Sequence, residues 1–527
     1  MIRINRVKGQ LNEQEEVIKQ KILNQLGGQK VRSIKIFKKA IDARDKSRIH
    51  YVYTIDVEAD QEEKLVKKLK NAVLFQPQSY AFPKGTMPQS PVVIGSGPAG
   101  LFAALMLAEA GQKPLLLERG ADVEKRHREV ERFWKGGTLH PSANVQFGEG
   151  GAGTFSDVKL TTGIKDCRIQ AVLETFVRFG APQEILTAAK PHIGTDHLRT
   201  IVSGMREHII RCGGQVWFEA QAVDFHIEQG RLDGILVRRD GKEAWVGACQ
   251  AVLATGHSAR DTFELLEQKG VHMVQKPFSM GVRIEHLQKK INDSQYGGFA
   301  SQLGAADYKL SVHLPSGRSV YTFCMCPGGR VVASASEEGG IVTNGMSYFA
   351  RDGVNANSAL LVNVLPEDFG SSRVLAGMEL QRKVEQAAFQ AAGGTFKAPA
   401  QLVGDFLQGK PSSGCGGVQP TYQPGVVWGA VSPIFPAFIP EALRQALPLL
   451  ERKLHGFSAE DAVLTAPETR SSCPVRIVRD PETYEASVRG LYPCGEGAGY
   501  AGGIMSAAVD GIKAAEAALL GRVLPKK

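Results

Sequence analysis

The protein has 527 residues, of which 43% are hydrophobic and 22% are charged, the proportions of a soluble globular protein. A chain of this length is expected to hold two to four domains. The longest uncharged stretch, residues 411–440, contains six prolines, which excludes a membrane-spanning helix there. The N-terminus has no apolar signal core and the eight cysteines are spread thinly, so we expect a cytoplasmic protein with reduced thiols.

The net charge of +9 is concentrated near the N-terminus. Residues 1–88 contain 18 Lys and Arg against 10 Asp and Glu, a net charge of +8, so the remaining residues are nearly neutral at +1. Such a basic segment can bind nucleic acid, steer an anionic substrate or simply form a solvated surface. We favour the solvated surface.

Residues 1–82 are predicted to form a small α/β domain. Strands are expected over residues 1–7, 31–41, 49–58 and 78–82, and helices over residues 12–26 and 61–72. The order strand-helix-strand-strand-helix-strand is that of a ferredoxin-like domain. The segment lacks the aromatic signature of an RNA-recognition motif, and residues 83–90 have the composition of a linker.

Residues 91–120 carry the motif around which the chain is organised. A short apolar strand at residues 91–94 leads into Gly95-Ser96-Gly97-Pro98-Ala99-Gly100 and a helix over residues 99–110. A second apolar strand at residues 115–117 ends at Glu118. Strand, glycine turn, helix, strand and acid together form the dinucleotide-binding fingerprint.

Each part of this fingerprint has a physical role. Gly95 permits the tight turn, Gly97 leaves room for a pyrophosphate and Gly100 lets the helix pack against the strand. The unpaired N–H groups of the helix N-terminus attract phosphates. An acid at the end of the second strand accepts a ribose hydroxyl and disfavours a 2′-phosphate, so the predicted ligand is FAD or NAD rather than NADP. The predicted cofactor-binding residues here are Gly95, Gly97, Ala99, Gly100, Glu118 and Arg119.

Three later segments extend the predicted nucleotide site. Residues 144–157 are so rich in glycine that we expect close approach of a pyrophosphate or an isoalloxazine around Gly151. Residues 215–247 are predicted to form a meander of strands, in which Val223 is a candidate for backbone contact with adenine. An apolar strand at residues 251–254 ends at Thr255 and Gly256, at the ligand-binding rim of the nucleotide sheet.

Residues 271–464 contain no nucleotide motif and are the predicted substrate domain. A strand there places Arg283 on one face and His286 on the other. Cys324 and Cys326 share a face at the end of another strand. These four residues are the candidate catalytic residues, with a structural role as the alternative for each. The cysteines have neither zinc-site nor CxxC spacing, so no metal site is predicted.

The final motif covers residues 491–508. A strand ends at Gly495 and Glu496, which places an acid near the ribityl or phosphate part of a flavin. Gly502 and Gly503 then begin a helix with Ile504. The positive end of that helix can stabilise the negative charge of a reduced flavin.

Together, residues 95–118, 254–256 and 495–506 resemble the glutathione-reductase-type FAD fold. The chain is most similar, over nearly its full length, to bacterial uncharacterised FAD-dependent dehydrogenases near the geranylgeranyl-reductase-like flavoproteins. The resemblance rests also on residues 41–44, 256–261, 281–286, 324–329 and 468–476. It implies an FAD/NAD(P)-binding Rossmann domain at residues 91–270 and 465–527, with an α+β substrate domain inserted between them. One departure is Val158, where a glycine would be expected.

The function expected from these features is that of an FAD-dependent oxidoreductase. It would be a dehydrogenase or a double-bond reductase that uses FAD for hydride transfer to or from a small-molecule substrate. The sequence has no second dinucleotide fingerprint, so NADH or NADPH would bind transiently as electron donor. The alternatives are a flavoprotein that acts on RNA through its basic N-terminal domain and a non-catalytic nucleotide-binding protein.

Overall fold

The computed structural model describes residues 1–77 and 79–525. Its first six elements are β1 (Ile2–Gly9), α1 (Glu15–Gln25), β2 (Val31–Asp42), β3 (His50–Ala59), α2 (Glu62–Lys68) and β4 (Ala72–Leu74). The four strands form one antiparallel sheet in the order β2-β3-β1-β4. The order of elements along the chain is the predicted strand-helix-strand-strand-helix-strand.

The predicted last strand of this unit, at residues 78–82, is wrong. Gln78 lies outside the described residues, and residues 79–82 are not in a strand. The edge strand is β4 instead, where Ala72 pairs with Ile4 of β1. Helix α2 is shorter than predicted because the residues after it are drawn into this pairing, and Asn5 N donates to Asn71 O at 2.9 Å.

The rest of the chain alternates between helices and strands. The helices are α3 (Pro98–Glu109), α4 (Val123–Trp134), α5 (Arg168–Arg178), α6 (Gly194–Arg211), α7 (Arg260–Gln268), α8 (Gln288–Tyr296), α9 (Ala376–Ala391), α10 (Val403–Gln408), α11 (Phe438–Lys453) and α12 (Ile504–Leu520). The strands are β5 (Val92–Ile94), β6 (Leu115–Leu117), β7 (Gln215–Trp217), β8 (Ala220–Glu228), β9 (Arg231–Arg239), β10 (Lys242–Gly247), β11 (Ala251–Leu253), β12 (Met273–Gln275), β13 (Phe278–Leu287), β14 (Ser311–His313), β15 (Ser319–Cys326), β16 (Arg330–Ala333), β17 (Thr343–Met346), β18 (Asn355–Val364), β19 (Ala398–Leu402), β20 (Val426–Trp428), β21 (Val463–Glu468), β22 (Val475–Ile477) and β23 (Leu491–Pro493). Across residues 1–77 and 79–525, no helix combines the length and apolar character that crossing a membrane requires.

Five short strands form a parallel sheet in the order β23-β11-β5-β6-β7. All three residues of β5 are buried, as expected for a parallel strand covered on both faces. The C-terminal segment returns to this sheet beside β11, as predicted. The carboxyl ends of β5, β11 and β23 therefore meet at one edge, and a glycine motif follows each of them.

Helix α3 is buried around its whole circumference, from Ala99 to Ala108. Its packing against α12 depends on Gly511, because a Cβ at that position would lie 2.0 Å from the carbonyl oxygen of Ala99. Only glycine allows the two backbones to approach this closely. The contact holds the fingerprint helix against the C-terminal segment of the chain.

Among the remaining strands, the two larger sheets contribute residues to the site. The predicted meander is an antiparallel sheet of β8, β9 and β10, while β7 belongs to the parallel sheet. A seven-stranded sheet has the order β14-β15-β18-β13-β21-β19-β20, and helices α9 and α11 contribute to the core that covers it. Strand β21 crosses the predicted domain boundary at residue 464, because its pairing with β13 continues to Glu468.

Candidate functional site

A cavity of about 620 Å³ opens at the carboxyl ends of the parallel strands. Its volume falls in the range of small-molecule and cofactor sites. The parallel sheet and the seven-stranded sheet both contribute lining residues, so the cavity lies between them. The predicted cofactor-binding residues that line it are Gly95, Gly97, Ala99, Glu118, Arg119, Gly151, Thr255, Gly256, Gly495, Glu496, Gly502, Gly503 and Ile504.

The three fingerprint glycines have different surroundings. Gly95 has a φ of +102°, and a Cβ there would lie 2.4 Å from the carbonyl oxygen of Ala254. Gly97 is the N-cap of α3, and the nearest atom to its ideal Cβ is the Gly151 Cα at 3.8 Å. Gly100 does not line the cavity; a Cβ there would lie 1.8 Å from the oxygen of Gly95. Its role is helix packing, whereas Gly97 leaves open space toward the cavity.

Glu118 joins three loops at the wall of the cavity. Its Oε2 accepts hydrogen bonds from the backbone N and the hydroxyl of Ser96, at 2.9 and 2.6 Å. Its Oε1 accepts from the backbone N–H groups of Gly120 and Gly148, at 2.8 and 3.0 Å. The carboxylate therefore fixes the glycine turn after β5 relative to the glycine-rich loop, in addition to facing the predicted ribose site.

Arg119 forms part of the same wall. It donates to Asp261 at 3.0 Å and to the hydroxyl of Thr262 at 3.2 Å. Its guanidinium lies over the ring of Phe147, 4.4 Å from the ring centroid. These contacts fix the side chain at the wall of the cavity.

Arg126 is a residue that sequence reasoning missed. It is fully buried in α4, and its guanidinium donates to the backbone carbonyls of residues 144, 145, 148, 149 and 151 at 2.7 to 3.2 Å. Burial lowers the pKa of Arg126 to about 10. This side chain shapes the glycine-rich loop. The helical period could have revealed it, since Arg126 lies on the face of α4 that buries Val123, Val130 and Phe133.

Val223 is not in the cavity lining. Ala220, Gln221 and Ala222 of β8 line it instead. The pairing of β8 with β9 shifts register between Ala222 and Asp224, so simple alternation along the strand does not hold there. The contact of Val223 with adenine stays a prediction, and its strand β8 forms part of the cavity wall.

The C-terminal motif contributes an acid and a helix end. Glu496 lines the cavity, and burial raises its pKa to about 8, while Lys276 acts in the opposite direction. His257 Nε2 lies 4.0 Å from Glu496, and burial lowers the pKa of that histidine to about 3, with further lowering by Arg470. Near neutral pH the site therefore presents a protonated carboxyl beside a neutral imidazole. The N-terminus of α12 lines the same region, where its partial positive charge favours an anion.

Only one of the four candidate catalytic residues, Cys324, lines the cavity. Arg283 and Cys326 are fully buried next to it. His286 packs against the rings of Tyr308 and Phe457 and shares a hydrogen bond of 3.0 Å with the Tyr308 hydroxyl. Burial lowers the pKa of His286 to about 4. These contacts give His286 a place in the core, which corrects its prediction as a residue facing the substrate.

Several charged lining residues were not predicted. Arg470 is held by Glu385, with Nε and Nη2 at 3.0 and 2.9 Å from its oxygens. Glu468 binds the guanidinium of Arg283 with both oxygens at 3.0 Å. A basic end of the cavity is formed by Lys159, Lys190, Lys309 and Arg351. The four basic residues come from distant segments and belong to no local motif, whereas Glu468 and Arg470 lie within residues 468–476, one of the stretches that carry the family resemblance.

The lining fits a flavin dinucleotide. The ideal Cβ of Gly97 has open space on the cavity side, at the N-terminus of α3, where a pyrophosphate can approach the backbone. Glu118 stands at the end of β6, where a ribose is bound in this kind of fold. The fingerprint helix and α12 direct their N-termini at the same cavity.

Two solved structures have limited similarity to this chain. A geranylgeranyl bacteriochlorophyll reductase-like protein of Thermoplasma acidophilum is 13% identical, with 82% of this chain and 78% of that chain covered and a TM-score of 0.36. A mutant of the quinol fumarate reductase subunit FrdA of E. coli is 13% identical, with 83% and 71% covered and a TM-score of 0.36. At these TM-scores neither alignment bears on function.

The chain has closer similarity to known proteins at the level of sequence. Residues 90–130 match a family model described as "FAD binding domain", and residues 277–471 match one described as "FAD-dependent protein, C-terminal domain-like". Residues 1–58 match a domain of unknown function. An uncharacterized protein of Clostridium beijerinckii is 47% identical over 536 residues, with 100% of both chains covered. The chain therefore belongs, together with this relative, to a family of FAD-dependent flavoproteins.

Proposed function

We propose that the protein is an FAD-dependent oxidoreductase, either a dehydrogenase or a double-bond reductase, that acts on a small-molecule substrate. The observation that carries the proposal is the shared cavity. The glycine turns of the parallel sheet and Cys324, Met325 and Glu468 of the seven-stranded sheet line one space. A site between a nucleotide-binding sheet and a second domain brings a substrate beside the cofactor. When bound, FAD supplies the hydride- and electron-transfer chemistry.

The electrostatics around α12 support a redox role. The partial positive charge at the N-terminus of this helix stabilises negative charge that develops in the cavity. With its pKa raised to about 8 by burial, Glu496 holds a proton at neutral pH and adds no opposing negative charge. Its carboxyl O–H can then donate a hydrogen bond into the cavity.

The positive charge at the basic end of the cavity supports a substrate that carries an anionic group. Lys190 pairs with Asp307 at 2.7 Å, and Arg351 pairs with Asp157 through Nε at 3.0 Å. Lys159 and Lys309 add two further positive charges at the same end. Four cations against two carboxylates leave a positive balance, which attracts a carboxylate or a phosphate.

The test is a spectrum followed by a titration. The absorption spectrum of the purified protein, before and after addition of FAD, is recorded first, and the protein is then titrated anaerobically with NADH and with NADPH. Flavin bands that bleach with either nucleotide are the expected result and identify the donor. Bands that persist with both overturn the proposed nicotinamide donor and direct the search to another reductant. A protein that neither contains nor takes up FAD overturns the proposed function.

The alternative of an RNA-directed flavoprotein rests on the basic charge of residues 1–88 alone. The site described above adds no observation in its favour.

A further inference from the structure

Cys324 and Cys326 lie at the end of β15, where the strand leaves regular pairing. The register with β18 shifts between Phe323 and Cys326, and Cys324 has a φ of +42°, in the left-handed region that non-glycine residues rarely adopt. Cys324 lines the cavity, whereas Cys326 is fully buried. The Cys326 Sγ lies 3.3 Å from the carbonyl oxygen of Cys324, so the second sulfur is turned back toward the first residue.

This irregularity matters for the distance between the two residues. In a flat strand the Cα atoms of residues i and i+2 are about 6.6 Å apart, from a rise of ~3.3 Å per residue. That separation is at the upper end of the range of about 4.4–6.8 Å in which a disulfide can close. A bulge bends the strand and brings such residues closer together.

The two thiols differ in their electrostatic environment. The buried guanidinium of Arg283 donates to the carbonyl oxygen of Cys324 at 2.7 Å and to the Cys326 Sγ at 3.4 Å. The Lys159 ammonium donates to the carbonyl oxygen of Met325, between the two cysteines. The hydrogen bond with the Cys326 thiol, aided by the positive charge of Arg283, lowers the pKa of Cys324 to about 6, while burial raises that of Cys326. The sulfur at the cavity wall is thus the more acidic of the two and the other is a buried thiol, the asymmetry of a reactive and a resolving cysteine.

We propose that Cys324 and Cys326 form a redox pair that exchanges two electrons with the bound FAD by cycling between a dithiol and a disulfide. The proposal rests on the proposed function, because FAD is the reaction partner. In the reductive direction the S–S bond breaks, the two sulfurs gain two electrons and two protons, and reduced FAD is oxidised to FAD. In the opposite direction the two thiols lose two electrons and two protons to FAD. The pair then serves as a second store of reducing equivalents next to the substrate.

The electron capacity of the holoprotein tests the proposal. Air-oxidised protein loaded with FAD is titrated anaerobically with dithionite while the flavin absorbance is followed. Wild-type protein should take up four electrons per FAD, since a disulfide adds two to the two of the flavin. Cys324→Ser and Cys326→Ser should each take up only two. Cys415→Ser is the matched control, because Cys415 is exposed and outside the cavity lining, and it should take up four.

A mass measurement gives a readout that does not depend on flavin or on folding of the variants. Trypsin cleaves after Arg318 and Arg330, so Cys324 and Cys326 fall in one peptide, residues 319–330, that contains no other cysteine. From oxidised wild-type protein this peptide should be two hydrogens lighter than from reduced protein and should resist alkylation. A peptide that keeps two free thiols after oxidation, with two electrons taken up per FAD, overturns the redox pair and leaves the proposed oxidoreductase intact. A protein that binds no FAD overturns the proposed function, whatever the mass of the peptide.

Discussion

Gly97→Ala should weaken FAD binding without weakening the fold. Gly97 has a φ of −70°, which any residue can adopt, and its ideal Cβ has only the Gly151 Cα as a near neighbour, at 3.8 Å. The added methyl group therefore makes an ordinary contact in the protein without ligand. We expect the free energy of unfolding of the apoprotein to change by less than about 0.5 kcal/mol.

The same methyl group occupies space that the pyrophosphate needs. Forcing an extra methyl into a close-packed contact typically costs about 1–3 kcal/mol. Converted to affinity, this is an increase of about 5- to 150-fold in the Kd for FAD. The backbone N–H at position 97 is retained in alanine, so the loss would be steric and not the loss of a hydrogen bond.

Gly100→Ala is the matched comparison. Its Cβ would meet the carbonyl oxygen of Gly95 at 1.8 Å, so this variant should lose at least about 1–3 kcal/mol of unfolding free energy. Urea unfolding of the apoproteins and fluorescence titration with FAD measure the two effects separately. Wild-type FAD affinity in Gly97→Ala would refute the position of the pyrophosphate, and equal destabilisation by both variants would refute the inferred open space at Gly97.

Three further predictions concern the loop beside the fingerprint. Burial raises the pKa of Glu149 to about 7, whereas Arg206 acts to lower it. The unfolded-state pKa is about 4.5, so the proton on Glu149 contributes its full stabilisation to the folded state below that pH. This contribution is lost as the pH rises toward 7. Between about pH 5.5 and pH 8 the free energy of unfolding of the wild-type apoprotein, measured with urea, should fall by about 2 kcal/mol relative to that of Glu149→Gln. A difference between the two proteins that does not change with pH would refute this prediction. Arg126→Met leaves five backbone carbonyls without their donor and should lower the free energy of unfolding by at least about 3 kcal/mol. Arg126→Lys should restore part of this loss. An unchanged unfolding midpoint for the Met variant would contradict the role of the guanidinium. Val158 has a φ of +52°, so Val158→Gly should be at least as stable as Val158→Ala, the reverse of the usual order, and thermal melts that show the usual order would argue against backbone strain at this position.

The nucleotide site was largely determined by local sequence. The glycine turn at residues 95–100, the acid at Glu118 and the motif at residues 495–504 each depend on a short stretch in which the backbone requirement selects the residue type. Even the departure at Val158 was visible as a valine where glycine was expected, and the structure gives that residue a left-handed backbone. Such features are predictable because the backbone conformation and the residue that it requires lie within a few positions of each other.

Pairing between strands that are distant in sequence decided the features that local sequence left open or predicted wrongly. The last strand of the N-terminal unit is β4 because the edge of β1 was available to Ala72, a partner 68 residues away along the chain. His286 lies in the core and Cys324 at the cavity because bulges and neighbouring strands set which side of the sheet each side chain faces.

Two further sets of charged residues show the same division. Arg126 belongs to none of the sequence motifs, yet its buried guanidinium holds the glycine-rich loop. The basic end joins Lys159, Lys190 and Arg351 from segments that only the folded chain brings together. The sequence by itself determined that the chain binds a dinucleotide, because phosphate binding is a property of one turn and one helix end. The tertiary structure alone decided which side chains face that dinucleotide, because their positions depend on the packing of two sheets that are distant in sequence.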